Sequence, residues 1–354
     1  MGGVTVGVLG ATGAAGGQLV QLLLGHPWFT IGGLAGSAAT AGQRYGDRMR
    51  VTALGPAGGA ALPAAIADQI LRPALPEAFR DCTLIFSALP AAVAQTVEPA
   101  FAAAGFGVIS NASAFRMAAD VPLLIPEVNA AHLGLLDQQQ QARGWPGFLV
   151  TNPNCSTIHL ALALAPLHQA FGLAAVQVTT LQAISGAGLR GVAALDILDN
   201  VVPFIGGEED KMESEPQKLL GRLDGAAITP ADFPISAQCT RVATTHGHLE
   251  TVAVKLHTPA DAAAIRAVWQ EWQPLRGRDL PSAPGYPILL REEEDRPQPR
   301  LDRDSAGGMA SVVGRLRPCP VLDWKFVVLG HNLVRGAAGG VLLIAELLHA
   351  EGRI

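Results

Sequence analysis

The chain has 354 residues, 49% of them hydrophobic and 16% charged. That is apolar enough for two domain cores and rules out a disordered or coiled-coil protein. A net charge of −5 without any block of basic residues argues against a nucleic-acid or anionic-membrane partner.

Cys82, Cys155, Cys239 and Cys319 stand too far apart for a zinc site or a short disulfide framework, and they fit a reducing compartment. The start, Met1-Gly2-Gly3-Val4-Thr5-Val6, lacks a positive n-region and reads as a first strand rather than a signal peptide. No stretch of about 18 apolar residues is free of Gly, Pro, His or charge, so no membrane span is expected. The expectation is a cytoplasmic protein.

Val4–Leu9 is a continuous apolar run that enters Gly10-Ala11-Thr12-Gly13-Ala14-Ala15-Gly16 and then Gln18–Leu24 at helical spacing. Glycines there let the backbone turn tightly and approach a pyrophosphate, which the helix N-terminus then faces. The strand–turn–helix context marks a dinucleotide loop rather than a plain βα turn. Further apolar runs at Ile31–Leu34, Thr83–Ser87 and Gly107–Ser110, with a helical stretch at Ala91–Ala104, predict a Rossmann-type, doubly wound parallel sheet in an α/β domain. The second run ends in Gly33-Leu34-Ala35-Gly36-Ser37, without the acid that would grip a ribose 2′-OH, and this points to NADP. Ser37 and Thr40 can hydrogen-bond a 2′-phosphate and Arg44 can neutralise it. The alternative is that Ser37 and Thr40 form only a polar turn.

Thr151-Asn152-Pro153-Asn154-Cys155-Ser156-Thr157 leads into a helix expected over Ser156–Phe171. Cys155 therefore sits at a helix start, where the dipole and open N–H groups favour thiolate. A thiolate beside a nicotinamide implies a thiohemiacetal or thioester. Cys82, Cys239 and Cys319 read as inert packing. Beyond this helix, Ala174–Ser185, Val242–Leu256 and Met309–Leu316 are β-rich, with a helix at Pro259–Gln273. They predict an α+β domain with a mixed or antiparallel sheet. Leu290–Gly308 is charged and Pro-rich and reads as a surface excursion, with Glu292–Asp295 solvated. Arg335–Leu348 is again helical.

The chemistry needs a group that titrates near neutrality, and His246-Gly247-His248 supplies two. Spacing alone does not choose between them. An H-x-H metal pair lacks any further ligand at suitable spacing, so no metal is expected. Arg241 is a candidate clamp for a substrate carboxylate.

Asn152-Pro153-Asn154-Cys155-Ser156-Thr157 resembles the active-site segment of the aspartate-β-semialdehyde dehydrogenases. The similarity runs through Ser110-Asn111-Ala112-Ser113-Ala114-Phe115-Arg116-Met117, Ile125–Asn129, Gln182–Gly188, Asn200–Lys211, Glu213–Lys218, Arg296–Asp304 and His331–Gly339. The last two segments and Gly206-Gly207-Glu208-Glu209 resemble an archaeal and fungal branch more than the common bacterial one.

This resemblance implies NADPH-dependent reductive dephosphorylation of L-4-aspartyl phosphate to L-aspartate 4-semialdehyde, on the route to lysine, methionine, threonine and isoleucine. In it Cys155 is the nucleophile, Gln182 positions the carbonyl and His248, seven residues after Arg241, is the acid/base. Arg241 binds the α-carboxylate, Glu208 meets the ammonium, and Arg116 and Lys211 bind phosphate, with Asn111 a further substrate contact. Cofactor contacts are implied for Gly10, Thr12, Gly13, Ala14, Ala15, Gly16, Ser37, Thr40, Ser87, Ser185, Gly186, Gly188 and Asn332. Also implied are a dinucleotide domain over 1–154, completed by a C-terminal helix within 331–354, and a catalytic and dimerisation domain over 155–330. The assembly would be a homodimer or homotetramer.

The sequence departs from the family where Ser-x-Arg-Ser becomes Ser37-Ala38-Ala39-Thr40, which keeps NAD open beside NADP. It departs again at Leu189-Arg190 and at Ala243-Thr244-Thr245-His246. Three rivals stand beside this reading. One is a malonyl-CoA reductase of the same fold, whose substrate has no α-ammonium for Glu208. The second is N-acetylglutamyl-phosphate reductase, whose signature segments differ. The third is a silent NADP-binding sensor, which would be expected to lose Cys155, Gln182, Arg241 or His248.

Overall fold

The structure is a computed structural model that describes residues 3–49 and 62–354. The chain divides into two compact units. The first comprises the described residues of Met1–Leu124 together with His132–Asn152 and Ala337–Ile354, and the second comprises Ile125–Ala131 and Pro153–Gly336. The short Ile125–Ala131 stretch thus groups with the second unit, although it lies within the span expected for the first.

In the first unit, β1 (Val4–Leu9), β2 (Phe29–Ala35), β3 (Leu84–Ser87), β4 (Gly107–Ser110) and β5 (Phe148–Thr151) form one sheet in the order β2-β1-β3-β4-β5. Every pairing is parallel. Each residue of β3, β4 and β5 is buried, as continuous apolar runs require when both faces of a sheet are covered. The helices Ala14–Leu23 and Ala91–Ala103 follow β1 and β3. Strand order reverses between β1 and β3, the switch point at which ligands bind in open α/β sheets. The edge strand β5 is closed at Thr151 by the backbone of Pro122 and Leu124 and at Leu149 by one side chain. Leu149 N donates to Gln139 Oε1 at 2.7 Å, and Gln139 Nε2 donates to Leu149 O at 2.9 Å, so this edge is not left as a template for pairing. The Gly339–Ala350 helix is buried from Gly339 to Leu348. Within it the wholly buried Glu346 pairs with His26 Nε2 at 2.9 Å.

In the second unit, β6 (Leu173–Gln182), β7 (Arg222–Asp224), β8 (Ala227–Thr229), β9 (Ile235–Arg241), β10 (His248–Leu256), β11 (Ile288–Arg291), β12 (Ser311–Pro318) and β13 (Trp324–Gly330) follow in sequence. Six of them form a mixed sheet in the order β11-β12-β13-β10-β6-β9, and β7 and β8 form a separate hairpin. Burial along β10 alternates strictly, the mark of a sheet with one face in the core. That face packs Val176, Val178, Val252, Val254, Phe326 and Val328 against Leu160, Leu164 and Leu167 of the Cys155–Phe171 helix. Trp269 of the Ala262–Glu271 helix joins this core and donates its indole N–H to Ala163 O at 2.9 Å. The opposite face shows Gln177, Thr251 and Lys255 to solvent.

Two stretches differ from the sequence reading. The β-rich run expected from Val242 becomes a strand only at His248, because 242–247 form the turn out of β9. The excursion Leu290–Gly308 is also more than surface. The buried Asp302 carboxylate collects Arg291 Nε at 2.9 Å, Arg296 Nε at 2.7 Å and Gln298 N at 2.7 Å. Burial opposes its charge, but these donors hold its pKa down at about 2, so one acid organises a charged loop from inside. Glu292–Asp295 are exposed.

Candidate active site

Cys155 is the first residue of its helix and is half-buried. The helix start is fastened by Asn154, whose Oδ1 accepts from Ser156 N at 3.0 Å and Thr157 N at 3.3 Å. This is N-capping by a residue type well suited to it. Asn154 also donates Nδ2 to both Glu208 oxygens, at 3.1 and 2.9 Å, and its backbone N to Glu215 Oε2 at 2.7 Å. Behind Cys155 the backbone comes so close at Gly336 that a Cβ there would stand 2.8 Å from Cys155 Cβ.

The ends of β6, β9 and β10 bring three more of the expected residues together. Gln182 and Arg241 are register partners at the ends of parallel β6 and β9, and His248 opens β10. Arg241 Nη1 donates to Ala183 O at 2.7 Å, and Ala183 N donates to His248 Nδ1 at 3.0 Å. A Cβ on Gly186 would lie 2.9 Å from Arg241 Nη1 and 3.2 Å from His248 Nε2. Only a residue without a side chain lets both groups approach that backbone. Burial lowers the Arg241 pKa, and the Cys155 sulfur and the Glu208 carboxylate oppose the shift. Burial, with Arg241, His159 and His331 adding to it, drives His248 well below the ordinary histidine value.

Glu208 is the hub of the polar groups. Lys211 Nζ donates to its Oε1 at 2.7 Å and Gln182 Nε2 to its Oε2 at 3.3 Å, beside the two bonds from Asn154. Burial alone would raise its pKa, but Lys211, Asn154 and Gln182 outweigh burial and leave it lowered. Glu208 is therefore a carboxylate, with Lys211 as its counter-ion.

Among the expected cofactor residues of this unit, Ser185 and Asn332 bind each other. Asn332 Nδ2 donates to Ser185 Oγ at 2.9 Å, Ser185 Oγ and His246 Nδ1 are 3.0 Å apart, and Gly247 N donates to Asn332 Oδ1 at 2.9 Å. His246 stacks on His331 with centroids 5.4 Å apart. His246 thus belongs to the scaffold of the turn that carries His248. Gly188 has φ +85° with open space around it.

The remaining expected residues lie in the first unit. Gly10 has φ +74°, and a Cβ on it would stand 2.5 Å from Ala88 O; one on Gly16 would stand 2.2 Å from Gly10 O. Thr12 and Gly13 complete the turn, and Ala14 and Ala15 open the helix, whose first turn no side chain caps. A tight loop that admits no side chain, leading to an uncapped helix start, fits a pyrophosphate. After β2, Thr40 Oγ1 donates to Ser37 O at 2.9 Å, so these residues do build a polar turn. Arg44 is ion-paired with Asp68 and Asp47.

Ser87 and Ser110 end β3 and β4 beside the wholly buried Glu98. Burial raises the Glu98 pKa, and the Ser110 and Ser87 hydroxyls oppose the rise, Ser110 Oγ donating to Oε1 at 2.5 Å. Ser110 Oγ also accepts from Ala112 N at 2.9 Å. The loop that follows carries Asn111, whose Oδ1 accepts from Asn152 Nδ2 at 2.9 Å, and the buried Arg116, whose Nη2 donates to Asn111 O at 2.8 Å.

Glu250 carries no signal in the sequence beyond its spacing from His248, two residues back on the same face of β10. It is wholly buried, and neither carboxyl oxygen has a hydrogen-bond partner among the described residues. Burial pushes its pKa well above 4.5. Above 4.5 and below the raised value, the folded state holds a proton that the unfolded state releases, so stability falls as pH rises through that window. Glu250→Gln should therefore raise the melting temperature at about pH 8 by roughly 3 °C or more, and the gain should vanish near about pH 4. An unchanged melting curve at the higher pH would contradict this.

Among the described residues no group of three or more His, Cys, Asp or Glu is placed to hold a metal ion, and no helix is long and apolar enough to cross a membrane.

Residues 5–136 match the family model of the semialdehyde dehydrogenase NAD binding domain, and residues 164–335 that of the semialdehyde dehydrogenase dimerisation domain. An aspartate-semialdehyde dehydrogenase from Archaeoglobus fulgidus is 49% identical over 347 residues, covering 98% of each chain. A malonyl CoA reductase (NADP) from Metallosphaera sedula is 38% identical over 355 residues, covering 98% of this chain and 97% of that protein. The crystal structure of an aspartate semialdehyde dehydrogenase with NADP from Candida albicans matches with a TM-score of 0.90 at 40% identity, covering 99% of this chain and 100% of that one.

Proposed function

The chain belongs to the aspartate-semialdehyde dehydrogenase family, and from that premise we propose that it reduces L-4-aspartyl phosphate to L-aspartate 4-semialdehyde and inorganic phosphate with NADPH. The observation that carries this reading is the cluster of Cys155 at a capped helix start with Arg241 and His248 close to Gly186. The Cys155 thiolate attacks the acyl carbon, and phosphate leaves with the electron pair of the broken C–O bond. Arg116 and Lys211 take the anionic phosphate. Arg241 forks onto the α-carboxylate, the fixed Glu208 carboxylate meets the ammonium, and Gln182 orients the carbonyl. Nε2 of His248 serves the reacting oxygen. The Gly10–Gly16 loop would hold the pyrophosphate of NADPH, which would supply the hydride in this direction.

The mutual bonds of Ser185 and Asn332 suit them to shape the site as well as to touch the cofactor. The open face of the mixed sheet is the surface we assign to pairing with a second copy of the chain. By this reading the enzyme serves amino-acid biosynthesis.

The second reading, malonyl-CoA reduction, is weakened by Glu208. A buried carboxylate held by Asn154, Gln182 and Lys211 suits a cationic substrate group that malonyl-CoA lacks. The purified protein should form NADPH from aspartate semialdehyde, phosphate and NADP⁺, and should show no activity on malonyl-CoA with NADPH. Turnover of malonyl-CoA with none of aspartate semialdehyde would overturn the assignment.

A further inference from the structure

Glu98 is wholly buried on the Ala91–Ala103 helix. The other buried residues of that helix are Ala94, Phe101 and Ala102, so its inward face is otherwise apolar. A carboxyl in such a place costs stability that an apolar side chain would not. What it gains is a bond to the end of β4, where Ser110 Oγ donates to Glu98 Oε1 at 2.5 Å.

That bond reaches further than Ser110. A serine hydroxyl has one proton and two lone pairs. With the proton committed to Glu98, a lone pair is turned to Ala112 N, which donates to Oγ at 2.9 Å. Asn111 lies between these two fixed points. Its N donates to Ser87 O at 2.8 Å, and its own O accepts from Arg116 Nη2 at 2.8 Å. One chain of contacts therefore runs from the buried acid through a hydroxyl and the loop backbone to Arg116, the cation assigned to phosphate. The Arg116 charge also acts back on Glu98. Burial raises the Glu98 pKa, and Ser110, Ser87 and then Arg116 oppose the rise.

Resting on the functional reading above, we propose that Glu98 is a positioning residue for inorganic phosphate. Through the Ser110 hydroxyl it holds the 110–116 loop in the conformation from which Arg116 reaches the anion. Glu98 itself touches no reacting atom. The role needs an acceptor at Oε1 rather than a charge, so glutamine can fill it. Oε2 has no hydrogen-bond partner among the described residues, and the Nε2 that would replace it breaks no bond. The other site residues are fixed by other means. Asn154 caps the helix that Cys155 opens, and Arg241 is tied to Ala183. Loss of the Glu98 contact is therefore a loss on the phosphate side of the reaction.

The test runs in the oxidative direction, with aspartate semialdehyde, NADP⁺ and phosphate varied in turn. Glu98→Leu, or Glu98→Met should leucine not fold, is expected to raise KM for phosphate by about tenfold or more. KM for the other two substrates should stay within about twofold of wild type. Ser110→Ala should do the same, and combining it with Glu98→Leu should add little, because both changes break one chain of contacts. Glu98→Gln should stay within about threefold of wild type on phosphate. Equal rises in all three KM values overturn the proposal, as does Ser110→Ala with an unchanged KM for phosphate. So does Glu98→Gln as impaired as Glu98→Leu. A second readout uses no substrate. Hydrogen exchange at the Ala112 amide, followed by NMR, should quicken about tenfold or more in Glu98→Leu and not in Glu98→Gln; unchanged exchange in Glu98→Leu overturns the proposal. A wild-type protein inactive on aspartate semialdehyde defeats the functional reading instead, and the Ala112 amide then still decides whether Glu98 sets the loop.

Discussion

Cys155→Ala is expected to abolish turnover, by about 10⁴-fold or more, while NADPH binds as in wild type. The substitution removes the atom that carries the acyl group. It leaves the Asn154 cap in place, because Ser156 N and Thr157 N bond to Asn154 rather than to residue 155. Initial rates and a fluorescence titration with NADPH measure the two halves of the expectation. Cys239 is no substitute, because burial pushes its thiol up to about 11. Cys319 has a lowered pKa, set first by backbone N–H donors from Leu322 and Val321, but it lies just beyond β12, outside the residues gathered at Gly186. Activity near that of wild type in Cys155→Ala would remove the covalent mechanism.

Arg241→Leu is expected to lower kcat/KM for aspartate semialdehyde by about 10²–10³-fold, mostly through KM. The guanidinium is buried and donates Nη1 to Ala183 O. A carboxylate can still be met by its fork in the bidentate geometry that lysine does not offer, so Arg241→Lys should restore little. Because Ala183 also holds His248, part of the loss would reflect a shifted imidazole. A simple aliphatic aldehyde without a carboxylate separates the effects, since its slow oxidation should suffer far less in Arg241→Leu. Equal losses on both substrates would assign Arg241 to scaffolding alone.

What was legible in the sequence follows from how local each signal is. The glycine loop is a local motif, because its glycines answer steric approaches made within one strand–turn–helix passage and the adjoining strand end. The cap at Asn154 is local too, since its oxygen reaches N–H groups two and three residues on. The grip of Asn154 on Glu208 and Glu215 is not, because it joins the start of one helix to another far along the chain. The histidine pair shows the same limit. If one strand ran through both, a period of two would put His246 and His248 on one face; the strand begins only at His248, so the two rings meet different neighbours. The role of Asp302 was hidden because a run of charges looks solvated until one acid is found inside it.

The central claim is that the Cys155 sulfur carries the acyl group. Its most direct test is mass spectrometry of the protein incubated with aspartate semialdehyde and NADP⁺ without phosphate, quenched in acid and cleaved into peptides. The account predicts an aspartyl thioester on the peptide containing Cys155, discharged when phosphate is added. An aspartyl adduct on Cys239 or Cys319 instead, or NADPH formed at full rate with no acylated peptide, would contradict it.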